Sequence, residues 1–229
     1  MAETKTLKEK NAPLIWAYLL LQIAVFLLFV YGPPEPLSAQ SLAQVDWHSL
    51  TPATLGIGIV AFVRLILLGL IPSKLRDHLV HGRWVHPLPG SRAFSDIGVH
   101  DPRVSIAAVE AKYGPLPSDG SLQDQKFYAL YSEFRDDPGV LDAHRNYLAV
   151  RDITTLNLLL AIPLPLVLLG ISGDLRACVV YACGLIALHL VGIVVVRNYS
   201  NRLVANVLAV ASASAQSAGY GTPKTKEAI

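Results

Sequence analysis

Charge is what this chain has least of. Asp, Glu, Lys and Arg together make up 16% of its 229 residues, where a soluble domain carries about 25%. Four apolar runs, residues 13–31, 54–71, 153–170 and 175–196, contain no Asp or Glu at all. Cysteine is nearly absent too. Cys178 and Cys183 lie five apart on different faces of one run, which excludes a disulfide framework and a shared metal. The chain has no Gly-x-Ser-x-Gly, no Ser-x-x-Lys and no Cys–His arrangement outside the last run. Nucleophilic catalysis therefore has no foothold. Gly56-Ile-Gly58 sits inside an apolar run without a lysine, so no phosphate loop is present. A net charge of +2 argues against nucleic acid held by bulk electrostatics. No cofactor is implied.

What the chain does have is apolar length. Hydrophobic residues are 52% of it and the mean hydropathy is +0.43. Each run approaches or reaches the roughly 20 residues that cross a bilayer as a helix. The expected fold is all-α: a polytopic four-helix transmembrane bundle with a helical cytosolic insert between helices 2 and 3. A segment 1–12 precedes spans 1 and 2 (13–72), the insert covers 73–152, spans 3 and 4 cover 153–196, and 197–229 is a helical extension with a disordered tail. The basic start of the first run fits a signal peptide, but its length and the following Tyr31-Gly-Pro-Pro-Glu-Pro favour a retained helix.

Lys and Arg give the orientation. Lys5, Lys8 and Lys10 precede the first run, and residues 32–52 hold no Lys or Arg. Lys74, Arg76 and Arg83 follow the second run, Arg145 and Arg151 precede the third, and Arg197 and Arg202 follow the fourth. The positive-inside rule then places both termini and the insert in the cytosol, in a plasma (inner) membrane.

Helical signals dominate the insert. Asp101-Pro-Arg predicts a helix start running to about Tyr113, and Ser121-Leu-Gln-Asp124 resembles a capping box. The helix after it carries Phe127, Leu130, Tyr131 and Phe134 as an apolar stripe, which reads as core or as a groove for a cytosolic protein partner. Asp136-Asp-Pro-Gly breaks that helix, and a last one begins near Val140 and continues into the third span. Residues 82–98 lack periodicity and read as an ordered loop, and the small, polar residues 213–229 read as disordered.

The intramembrane polar residues are the leading site candidates. Arg64 lies at the centre of the second run, where insertion costs about 2.5–3.5 kcal/mol. It stands roughly 12 Å from the cytosolic end of that helix, too far to reach headgroups comfortably. Gln22 lies near the middle of the first run, Asn157 in the third and His189 in the fourth. Pro163 and Pro165 kink the third run and free carbonyls near mid-depth. Three readings follow: Arg64 is clamped by Gln22 and those carbonyls, copies of Arg64 line a wet path in a homo-oligomer, or Arg64 faces lipid and snorkels.

His78 and His81, at i and i+3, are the weak metal candidates, short of the ligands a zinc site needs. Arg76-Asp-His-Leu-Val-His81 resembles the Arg-x4-His pattern of the HEPN ribonucleases. That resemblance covers six residues, and it implies Arg76 and His81 acting on a phosphodiester. The reading as a whole is a non-enzymatic membrane anchor or signal-responsive module whose insert binds a partner. Its rivals are an oligomeric pore or membrane-disrupting effector and an Arg-x4-His nuclease.

Overall fold

The computed structural model describes residues 6–31 and 69–220, and every regular element among them is helical. Helix α1 (Leu7–Tyr31) is followed by α2 (Ser73–His81), a 3-10 turn (Pro89–Arg92) and a π turn (Ala93–Ile97) that ends in the single turn Gly98–His100. Then come α3 (Ile106–Tyr113), α4 (Gly120–Phe134), α5 (Pro138–Leu160), α6 (Pro163–Ser172) and α7 (Leu175–Tyr220). Arg64 and most of the second apolar run lie outside the described residues, and so does the clamp between Arg64 and Gln22.

Among the described residues, two helices are long and apolar enough to cross a membrane, α1 over Glu9–Tyr31 and α7 over Leu175–Ser217. Helices α5 and α6 reach the same length and hydropathy only as a pair, bent by 41° where they meet, which is the form of a broken span or of a re-entrant loop. Pro163 explains the break: it opens α6 at the first position, where its missing N–H is no loss, and α5 stops at Leu160. The two prolines thus end one helix and start another, where the sequence suggested a kink within one.

By contacts the chain divides into two compact units, Met1–Arg76 with Arg151–Ile193 and Asp77–Val150 with Val194–Ile229. In the first unit, α1 begins with a capping box. Thr6 Oγ1 accepts from the Glu9 N–H at 3.3 Å, and Glu9 Oε2 accepts from the Thr6 N–H at 2.7 Å. Asn11, Ile15, Tyr18, Leu19 and Gln22 form its buried stripe, while Leu14, Leu20, Leu21, Leu27 and Leu28 are exposed. Ile15, Tyr18 and Leu19 pack on Leu156, and Val25, Phe26 and Phe29 pack with Leu168, Tyr181 and Leu185. Gly173, at φ +66°, closes α6 by donating to Leu169 O, and Asp174 Oδ1 accepts from Arg176 N–H and Ala177 N–H to start α7.

The second unit is a helical core built round the C-terminal half of α7. Val196, Leu203, Val204, Val207, Leu208 and Ala211 are buried together with Val80, Phe94, Val109, Phe127, Leu130, Val140 and Tyr147. The limits of three elements differ from expectation. Helix α3 starts at Ile106, capped by Ser105, because Asp101 spends its carboxylate on the Arg103 backbone and guanidinium in a turn of its own. Helix α4 is capped by Asp119, whose Oδ1 accepts from Ser121 N–H and Leu122 N–H, and Ser121 is already inside it. The tail is the third correction: α7 continues to Tyr220, with Ser212 buried and accepting from Ser105 N–H, and Ser214 accepting from Lys112.

Candidate functional site

In the first unit the polar residues of the apolar helices find one another. Tyr18 donates to Asn157 Oδ1 at 2.8 Å, Gln22 Nε2 donates to Tyr18 Oη at 3.1 Å, and Asn157 Nδ2 donates to Leu185 O at 2.8 Å. Gln22 is 5% exposed and Asn157 1%. The chain of bonds joins α1, α5 and α7, and in a bilayer such a link replaces groups that would otherwise face hydrocarbon unpaired. Gln22 is thus engaged by Tyr18, the residue whose ring looks, in sequence, like one more aromatic in an apolar run. Pro165 O accepts from Cys178 Sγ at 3.2 Å, which gives that buried cysteine a packing role, while Cys183 is exposed.

His189 and Gly192 stand on α7 facing α5. His189 Nδ1 is buried and finds no hydrogen-bond partner among the described residues. A Cβ on Gly192 would lie 2.7 Å from Thr154 Oγ1. Glycine here lets the two backbones approach, the use membrane helices commonly make of small residues.

In the second unit the two metal candidates turn to separate partners. His81 is 1% exposed, with Nε2 hydrogen-bonded to Tyr147 Oη at 3.2 Å. His78 Nδ1 is 2.8 Å from Arg83 O, so it carries the proton and donates, and its ring stacks on Trp84 at 5.8 Å. No group of three or more His, Cys, Asp or Glu side chains converges on a metal position among the described residues. The His81 imidazole, the histidine of the Arg-x4-His pattern, is enclosed against Tyr147.

The aromatic stripe is a core stripe. Phe127 and Leu130 are buried, and Tyr131 and Phe134 are partly buried against the same core. Tyr131 Oη is hydrogen-bonded to His144 Nδ1 at 2.7 Å, and burial raises the Tyr131 phenol above its usual range. Beside them lies a residue that periodicity does not reveal. Gln123, 1% exposed, accepts through Oε1 from the N–H groups of Phe94 at 3.1 Å and Ser95 at 3.3 Å, and donates from Nε2 to Ser118 O at 2.9 Å. It ties α4 to the π turn, so the aperiodic segment is held by a side chain that serves as its missing backbone partner. Gly90 allows the same approach, since a Cβ there would sit 2.7 Å from the Phe127 ring.

One open cleft of about 460 Å³ opens on this unit, lined by Asp96, His100, Asp101, Arg103, Asn201 and Arg202 among others. Arg103 bridges Asp101 at 2.7 Å and donates from Nη1 to Asn206 Oδ1 at 3.1 Å. The Arg103 hydrogen bonds hold the Asp101 carboxyl below the usual carboxylate range. Asn201 Oδ1 is buried at the same cleft without a hydrogen-bond partner among the described residues. Comparison with known proteins returns no matching family model, no matching curated protein and no matching solved structure.

Proposed function

We propose that the protein is a non-enzymatic anchor in the plasma (inner) membrane: four spans, both termini cytosolic, and a cytosolic helical unit that docks a soluble partner. The observation that carries this reading is α7. One uninterrupted helix of 46 residues is apolar over its first half and supplies the centre of the second unit's core over its second half. Such a helix makes the folded unit inseparable from the membrane segment, which is what an anchored docking module needs. The Lys/Arg distribution supports the orientation.

With the aromatic stripe committed to the core, we assign docking to the cleft of His100, Arg103, Asn201 and Arg202, whose mixed charges suit a polar protein segment carrying carboxylates. The bundle is proposed to self-associate, with lipid on its remaining apolar faces. The pore reading rests on Arg64 at the centre of an apolar run.

Induced expression separates the two. An anchor leaves the membrane potential unchanged, and a photo-crosslinker at His100 or Arg202 gives one discrete protein adduct, lost on charge reversal of Arg202. Depolarisation that Arg64→Ala abolishes would establish the pore in its place.

A further inference from the structure

The most exposed large apolar side chains of the second unit are two neighbours, Trp84 at 73% and Val85 at 76%. They are not loose. Arg197 Nε donates to His81 O at 2.7 Å and Arg197 Nη2 donates to Gly82 O at 3.0 Å, which pins the start of their loop to α7. His78 holds the loop from the other side, donating to Arg83 O and stacking on the Trp84 ring.

The place on α7 matters. Residues 177–196 contain no charged residue, and Arg197 is the first after them. The loop is therefore fastened to α7 where an apolar, membrane-length stretch ends. An exposed tryptophan at that level is where tryptophan rings collect in membrane proteins, with the ring in the headgroup region.

Cationic groups gather beside it. Arg92 is close enough to Arg83 and Arg197 to feel both charges, and burial, then Arg83 and Arg197, hold its guanidinium below the usual arginine range against the pull of Asp96. The Asp96 carboxylate stands 3.8 Å from Arg92 Nη1, and Arg92 Nε is buried without an acceptor among the described residues. Arg83, Arg92 and Arg197 together offer positive charge and N–H donors, the complement of a phosphodiester monoanion, with Asp96 as a partial counter-charge on Arg92.

We propose that the loop over residues 82–86 is a membrane-interface clasp: Trp84 and Val85 enter the headgroup layer, and Arg83 and Arg92 bind the phosphate of an anionic phospholipid. The proposal is independent of which soluble partner the cleft takes. Its occupant is the bilayer's own inner surface, chosen because the loop is continuous with the apolar stretch of α7 and matches the charge of that leaflet.

The test uses the full chain with Trp16→Phe and Trp47→Phe, which leaves Trp84 as the only tryptophan. The protein is reconstituted into vesicles of phosphatidylcholine, with or without phosphatidylglycerol, carrying bromine high on the acyl chains. The expected result is a blue-shifted Trp84 emission that brominated lipid quenches strongly with phosphatidylglycerol present and weakly without it. Arg83→Gln should remove that dependence on anionic lipid at unchanged helical content. Emission that acrylamide quenches from the water, indifferent to brominated lipid in anionic vesicles, would overturn the proposal. Equal quenching in both lipid compositions would overturn the phosphate site. The composition comparison uses the native loop, so a poorly folding Arg83 variant leaves the test decisive.

Discussion

Tyr18 and Asn157 are hydrogen-bonded at 2.8 Å although 139 residues separate them in the chain. The bond joins two apolar helices and gives the Tyr18 hydroxyl proton and the Asn157 carbonyl a partner across the interface. Asn157 also uses its amide on Leu185 O, so a single residue holds α5 to α1 and α7. A double-mutant cycle on Tyr18→Phe and Asn157→Leu should give a coupling of about 0.6–1.7 kcal/mol, the range found for hydrogen bonds between membrane helices. Reversible unfolding in bicelles measures it, and zero coupling would dismiss the shared bond.

Gly192 sets a steric limit at the same interface. Replacing it with valine puts a methyl-bearing carbon into Thr154, 2.7 Å from Oγ1. The variant should lose about 1–3 kcal/mol, as overpacked cores do. Thr154→Ala should restore part of the loss. A Gly192→Val protein as stable as the parent would mean that the two helices separate there freely.

Gln123→Leu preserves bulk but strands the N–H of buried Phe94 and frees that of Ser95 to water. A buried group left unsatisfied costs about 1–3 kcal/mol. Limited proteolysis should then cut within residues 82–98 well before the rest of the unit, and an unaltered cleavage pattern would count against the latch. Phe127→Ala in the same core is expected to cost about 3–5 kcal/mol and to unfold the unit as a whole.

Asp124 provides a pH test. Burial raises its carboxyl above the ordinary 3.8, Asp77 adds to the rise and His86 opposes it. A raised acid favours the folded state only while it is protonated. That contribution is full below the ordinary value and is lost as pH climbs through the raised one. Asp124→Asn should therefore raise the melting temperature at pH 7, with the gain shrinking toward pH 4. A gain that is constant across that range would contradict the shift.

Much of this architecture was legible before any coordinates. The apolar runs foretold α1 and the first half of α7 as helices long and apolar enough to cross a bilayer, whereas the break at Pro163 was expected only as a kink within one helix. The helix beginning near Val140 and continuing through Arg151 was also readable, as was the core stripe at Phe127 and Leu130. Cap positions were harder to read. Asp119, Ser105 and Asp137 each compete with a neighbour of equal propensity, and only the fold decides which hydroxyl or carboxylate faces the open amides. Thr6 and Glu9 did spell a capping box, but the apolar run drew the helix start to Pro13. The serine- and alanine-rich end of α7 resembled a linker by composition, yet alanine is the best helix former, and Ser212 and Ser214 found partners on α3. Gln123 carried no sequence signal, since a lone glutamine in a polar stretch has no period.

The second unit is assembled from two stretches that leave the ribosome at different times. Residues 77–150 emerge first, yet Val196, Leu203, Val204, Val207, Leu208 and Ala211, which close their core, follow only after the intervening apolar segment. At about 5–20 residues per second, that gap lasts several seconds. Through it the faces of Val80, Val109, Phe127 and Leu130 lack their covering helix. Folding of this unit thus waits on synthesis of α7, and a nascent chain stalled before residue 203 is a substrate for chaperones and proteases.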